Sequence, residues 1–192
     1  MASDLPRPRN AAATREAILQ SAIQHFARAG YDGVGVREIA ADAGVTAMLV
    51  NRYFGSKEQL FTEAVETSFA TPVFIAEGSD ELAHDIAAAL TTHSAPGVES
   101  VAPFLMMLRS VSNPAAVRIV RAGVARHAGR RLSRQLPEPA SQLRSDVALA
   151  VISGVLLMRQ VVGTRALSRS SAAQLETILE GVFAAIIDAP LE

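Results

Sequence analysis

Apolar residues recur at helical spacing along most of the chain. Ile18, Ala22, Ile23 and Phe26 fall on one face of a first helix, with Thr14 placed to cap it and Gly30 to stop it. The turn YDGVG leads into a short second helix over about residues 36–43. Gly44 and Val45 break that helix, and Thr46 is placed to cap a third that runs to about residue 53. Ser56 and Gln59 have capping-box spacing and open a fourth helix that turns Leu60, Phe61, Ala64 and Val65 inward and ends before Pro72. Longer helical patterns then cover about residues 79–92, 100–110, 114–135, 139–162 and 171–188, with Asn113-Pro114 and Ser171-x-x-Gln174 as start signals. The pattern predicts an all-α protein.

The second and third helices, joined by a glycine turn, have the layout of a helix-turn-helix. Ala40 lets the helices approach, Gly44 makes the turn, and Ile39, Val45 and Val50 supply the inner faces. The stretch GVTAMLVNRYFGSKEQLF, residues 44–61, also carries Thr46, Asn51, Arg52, Tyr53 and Lys57, which packing alone does not require. A recognition helix in the major groove meets base edges and phosphates. Thr46 suits a phosphate, and Asn51 suits either adenine or the backbone. Arg52 and Tyr53, near the helix end, suit phosphates. Lys57 adds an ammonium to the first turn of a helix, where free backbone N–H groups favour an anion. A solvated polar face is the competing reading. The G-x-G of residues 33–35 lacks a preceding strand and a third glycine, so it reads as a turn and not as a phosphate loop.

Composition changes this picture in two places. With 192 residues, 49% of them hydrophobic, the chain can bury one ordinary core or two small ones, while nine prolines and 5% aromatics speak against long strands. Net charge is −1, so nucleic-acid binding requires a local concentration of basic groups; Lys57 is the only lysine among them. The absence of cysteine excludes disulfides, a thiolate zinc site and a cysteine nucleophile, and fits a reducing cytoplasm. His25, His84, His93 and His127 lack metal-ligand spacing and no HExxH occurs, so no catalytic residue, metal or cofactor is expected and a helical enzyme is the remote alternative. MASDLPRPRNAAATRE lacks the apolar core of a signal peptide, and VALAVISGVLLM, residues 147–158, is short for a bilayer span. A soluble protein without a membrane partner is expected.

The stretch TREAILQSAIQHFARAGYDGVGVREIAADAGVTAMLVNRYFGSKEQLF resembles the N-terminal domain of the TetR family of bacterial transcriptional regulators over about 50 residues, including its AGV-T…YF-x-SK-E-x-L ending. The resemblance implies that Thr46, Tyr53 and Lys57 contact DNA phosphates and that positions around Ala47, Met48 and Asn51 read an operator in double-stranded DNA; Arg37 and Arg52 join the expected contacts. This chain departs from the family where Asn51 replaces the usual tyrosine, Met48 a small residue, and Gly35 a frequent threonine that caps the second helix.

For the remaining two-thirds the resemblance is architectural and implies a helical domain that binds a small-molecule effector and dimerises. The expected division is an N-terminal arm over 1–13, the DNA-binding domain over 14–60 and the larger domain over 61–192. Leu156 and the stripe Leu175, Ile178, Leu179, Val182, Phe183 and Ile186 are wider than one core contact requires, which points to a homodimer, with complete burial in a monomer as the alternative. Phe104, Met107 and Met158, with His93, Arg109 and His127 as polar contacts, are the candidate effector site, against the plainer reading of a Phe-Leu-Met-Met run as core. The arginines between 118 and 134, without an acidic neighbour, read as a solvated face, with an anionic ligand or DNA backbone as the alternative.

Overall fold

The computed structural model describes residues 8–71, 73–75, 78–95 and 101–191; Pro72 and the expected helix start at Ser100 lie outside them. The regular elements are α1 (Pro8–Ala29), α2 (Val36–Asp42), α3 (Ala47–Phe54), α4 (Lys57–Ala70), α5 (Leu82–His93), α6 (Ala102–Arg109) and α7 (Pro114–Val124). A π-helical turn at Ala125–Gly129 leads into α8 (Arg130–Ser133). Next come α9 (Ser141–Leu156), a π-helical segment at Leu157–Val162, α10 (Arg165–Arg169) and α11 (Ala172–Asp188). Among the described residues there is no strand, so the fold is all-α as expected. The chain divides into two units: residues up to 68 joined by 105–121, and residues 69–104 joined by 122 onward.

In the first unit α1 begins earlier than the expected cap. Thr14 lies inside the helix and not at its N-cap, because Ala11, Ala12 and Ala13 are strong helix formers and Pro8 suits a first turn. The segment expected as an arm is therefore helical from residue 8. Ile18, Ala22 and Phe26 of α1, Ile39 of α2, Val50 of α3 and Leu60, Phe61, Ala64 and Val65 of α4 form the core. Phe61 meets Phe26 and Tyr31 edge-on, with ring centroids 4.9 and 5.0 Å away. Gly30 closes α1 at φ 72°, and a Cβ there would stand 2.1 Å from the Arg109 carbonyl oxygen. Around this close approach, Ser110 Oγ accepts from Tyr31 N–H at 3.0 Å and the Arg109 guanidinium donates to the Ala27 carbonyl. A cation on the last carbonyls of a helix also favours its dipole. Asn113 caps α7 as expected, its Oδ1 accepting from Ala115 and Ala116 N–H at 2.9 and 3.0 Å.

The second unit is organised around α11. Leu175, Leu179 and Phe183, four residues apart, are buried, and α11 packs on α5 and α9. Ser171 and Gln174 form both halves of the expected capping box, each at 3.2 Å. At the other end the buried Arg144 guanidinium donates to the carbonyls of Ile186, Ile187 and Ala189 at 2.7, 3.0 and 2.6 Å, satisfying the free end of α11. The two long helices expected over 114–135 and 139–162 each contain a π-helical stretch. In the second of these Arg159 turns inward, donating to Leu167 and Thr91 carbonyls and to Ser94 Oγ at 3.1, 3.0 and 2.6 Å. Burial pushes its pKa down from the ordinary arginine value.

His84 of α5 has Nδ1 3.1 Å from Glu180 Oε2 and Nε2 4.0 Å from Glu176 Oε1 on α11. The Glu180 hydrogen bond, helped by the carboxylate charges of Glu180, Glu176 and Glu81 against an opposing desolvation, raises its pKa above the ordinary histidine value. The folded state therefore holds this proton more tightly than the unfolded state. The stabilisation is complete below about pH 6.5 and is lost as pH rises through the folded value. The thermal midpoint of the wild type is expected to fall more between about pH 6 and pH 8 than that of His84→Gln. Parallel curves for the two proteins would remove His84 from the pH response.

Candidate nucleic-acid interface

The geometry of α3 follows from two of its residues. Val50 and Phe54 are buried at i and i+4, which fixes the helix by one face and turns the opposite face outward. On that outward face Met48, Asn51 and Arg52 are exposed, with Met48 at 80% the most open large apolar side chain described. Ala47 and Tyr53 flank it half-buried. Thr46 is the N-cap, its Oγ1 accepting from Leu49 N–H at 3.3 Å, as the sequence predicts. Arg15 of α1 braces this helix from behind: its guanidinium lies 4.7 Å from the Phe54 ring centroid and its Nη2 donates to Glu63 Oε2 of α4 at 2.6 Å. Pattern reasoning missed Arg15, because a lone arginine on α1 carries no signal of what it will face.

Arg37 is exposed in the first turn of α2, and the turn that follows the helix is made at Gly44, which has φ 67° and open space around it. Gly35 is the N-cap of α2 without a side chain to cap it, and the Glu38 carboxylate accepts from its N–H at 2.7 Å instead. One half of the N-terminal satisfaction is thus kept where the side-chain half is absent. At α4, Ser56 Oγ accepts from Gln59 N–H at 3.1 Å, but Ser56 N–H donates to the Phe54 carbonyl at 2.9 Å. The expected reciprocal bond from Gln59 is replaced, because the backbone folds back at Gly55, φ 77°, and brings that carbonyl closer.

Lys57 opens α4, and its Nζ stands 4.6 Å from the centroid of the Tyr31 ring. This cation–π contact, on a ring already packed against Phe26 and Phe61, holds the ammonium at the helix start. Burial, with the Glu58 and Asp32 carboxylates, raises the Tyr31 pKa, so the ring stays neutral beneath the ammonium. Thr46, Asn51, Arg52 and Lys57 are thus gathered on one unit, with the Thr46 hydroxyl held by the α3 backbone and the Lys57 ammonium by an uncharged ring.

The residues expected to hold an effector fall in both units. His93 and Phe104, the latter buried, lie in the second unit with His127 and the 38% exposed Met158. His93 stacks edge-on against Phe74 at 6.0 Å. Met107 and Arg109 fall in the first unit, where Arg109 is committed to Ala27. A cleft of about 630 Å³ in the second unit is lined by Ser79, His84, Gln135, Glu180, Ile187 and neighbours, and includes none of these six.

The apolar stripe of α11 divides into two faces. Leu175, Leu179 and Phe183, with Leu156 of α9, are 1–4% exposed and belong to the chain's own core, so this part of the expected interface is corrected. The three on α11 are buried because they sit at four-residue spacing on the side that packs against α5 and α9. Ile178 and Val182 are 65% and 37% exposed, and Ile186 is half-buried. On α9 and the following π segment, which are apolar on more than one face, the exposed side chains include Leu143, Val147, Val161 and Val162. The apolar run 147–158 lies within a 22-residue helix over residues 141–162 that is long and apolar enough to cross a membrane by length and composition alone, a test that core helices of soluble proteins also pass.

Residues 18–64 match the family model for bacterial regulatory proteins of the tetR family, and residues 80–187 match the tetracyclin repressor-like C-terminal domain. Over 43 residues the chain is 56% identical to the HTH-type transcriptional regulatory protein RaaS of Mycobacterium tuberculosis, which is 22% of this chain and 20% of that protein. The chain spans between 20% and 31% of the length of the curated relatives it matches. Among solved structures, a TetR-family transcriptional regulator from Rhodococcus sp. shares the fold with a TM-score of 0.72 at 18% identity, covering 92% of this chain and 100% of that one. The multidrug binding protein EbrR, complexed with ethidium, superposes with a TM-score of 0.66 at 20% identity over 93% of this chain and 99% of its own. With its two halves matched in order by the two family models, the chain belongs to the tetR family of bacterial regulatory proteins.

Proposed function

We propose that this chain is a homodimeric transcriptional repressor that places α3 of each copy in the major groove of a palindromic operator and is released by a small-molecule effector. The face of α3 carries the reading: a short helix locked by Val50 and Phe54 presents Met48, Asn51 and Arg52 to solvent between the cap Thr46 and the ammonium of Lys57. Thr46, Arg37, Arg52, Tyr53 and Lys57 take phosphates, which set register, while Ala47, Met48 and Asn51 meet base edges. A palindrome follows from two-fold symmetry, with half-sites about 34–36 Å apart.

Dimerisation accounts for the exposed apolar side chains. Ile178 and Val182 on α11 and Leu143, Val147, Val161 and Val162 on the 141–162 helix are covered when a second copy packs its own pair of helices against them. A lipid environment for that helix is disfavoured by Arg144 and Arg159, whose guanidinium groups are committed to carbonyls of the same unit. The protein then works in the cytoplasm, with DNA, an effector and itself as partners.

Affinity for DNA is expected to fall steeply with salt, because phosphate contacts release counterions. Lys57→Ala is expected to weaken binding to all duplexes and to flatten the plot of log K against log salt by about one unit, the share of a single phosphate neutralised by one ammonium. An unchanged slope would take Lys57 out of the interface. The release step rests on the small molecule held by the fold neighbour EbrR. A regulator or activator without an effector is the second reading, favoured by the cleft of the second unit, whose lining includes none of the six candidate pocket residues. Linkage separates the two, since an effector that weakens operator binding by some factor must itself bind more weakly, by the same factor, to the operator complex.

A further inference from the structure

Met48 is the most exposed large apolar side chain described, at 80%, and it stands on a face whose other members are polar. Elsewhere in the first unit, Val111 is the other large apolar side chain exposed among the described residues. Nothing described in the unit covers Met48, and its side chain does not support the fold. It sits one helical turn before Asn51, on the same side of α3. In a major groove, every base edge presents hydrogen-bonding groups, and only thymine adds an apolar one, the C5 methyl. A thioether side chain neither donates nor strongly accepts, so it discriminates among bases only by burying that methyl.

We infer that Met48 is a specificity-determining residue that reads the C5 methyl of a thymine in each operator half-site. The inference rests on the reading of α3 as the groove-facing helix and adds the chemical group recognised. Asn51, three residues on and about 4.5 Å further along the helix axis, then meets a base pair next to that thymine. A half-site recovered for this protein contains a T·A pair whose thymine methyl is required, beside the pair that Asn51 contacts.

The test uses duplexes selected by the full-length protein from random DNA, with each thymine replaced in turn by deoxyuridine, which removes only the methyl. At one position per half-site, deoxyuridine is expected to weaken wild-type binding about three- to fivefold, the effect of one buried methyl group. Met48→Gln is expected to bind thymine and deoxyuridine there equally, and Met48→Leu, which keeps an apolar tip, to retain the preference. At 80% exposure both variants should melt as the wild type does, which a thermal scan establishes beforehand. Equal loss on deoxyuridine for wild type and Met48→Gln, or no sensitive position at all, would overturn the inference while leaving DNA binding through Lys57 intact. Failure to select any duplex, with no salt-dependent binding, would overturn the DNA-binding reading itself and this inference with it.

Discussion

Phe183→Ala is expected to lower the stability of the protein by about 3–5 kcal/mol, while Ile178→Asp is expected to leave the folded chain intact and remove its self-association. The two residues are five positions apart on α11 and meet opposite environments: Phe183 is 1% exposed and Ile178 is 65% exposed. Truncating Phe183 removes an aromatic ring from the layer it shares with Leu175 and Leu179, and the cavity left behind adds to the lost transfer energy. At Ile178 an aspartate is solvated in the single chain, and it becomes an unpaired charge only when a second copy covers it. Denaturant midpoints and sedimentation distinguish these outcomes. The wild-type midpoint should rise with protein concentration and that of Ile178→Asp should not. A concentration-independent wild type, or a dimer that survives Ile178→Asp, would move the interface away from this face.

Gly30→Ala is expected to cost about 2–5 kcal/mol and to abolish DNA binding through loss of the first unit's fold. Two penalties combine at this position. An alanine at φ 72° is strained by itself, and its Cβ would meet the Arg109 carbonyl oxygen at 2.1 Å, a backbone atom that no rotamer change moves aside. Relief would require α1 and the end of α6 to separate, breaking the Tyr31–Ser110 and Arg109–Ala27 hydrogen bonds on either side. Gly44→Ala is the control, since it has a similar φ of 67° but nothing within 4 Å, so only the strain remains. If the two variants melt together, close approach contributes nothing and the backbone at Gly30 has yielded.

Most helices, the starts of α3, α7 and α11 and the outward face of α3 were legible in the sequence because each rests on local chemistry. Thr46, Asn113 and Ser171 cap the helices that their spacing announces. Lys57 is at the helix start where its charge suits an anion, but the Tyr31 ring beneath it lies 26 residues away in sequence and no periodicity points to it. The division of the α11 stripe into core and surface was not legible either. Leu179 and Val182 are alike in hydrophobicity, and only the placement of α5 and α9 decides which is covered. The inward turn of Arg159 depends on a π-helical segment that shifts the helical phase, and a pattern read at 3.6 residues per turn cannot register such a shift. The same limit applies to Arg144, which reads as a surface residue until the last carbonyls of α11 arrive opposite it.

The π-helical segment at Leu157–Val162 also bears on how the chain can change in length. A widened turn stores one more residue than an α-turn does over the same rise. Losing a residue within α9 would rotate everything that follows by about 100° and carry buried side chains to the surface. Losing the exposed Val161 instead lets the wide turn relax to ordinary α-helix, and the helices before and after it keep their orientation. Arg159 turns inward from this same segment, so such a deletion would also swing its guanidinium away from the Leu167 and Thr91 carbonyls and Ser94 Oγ, and the stored residue is tied to that buried contact.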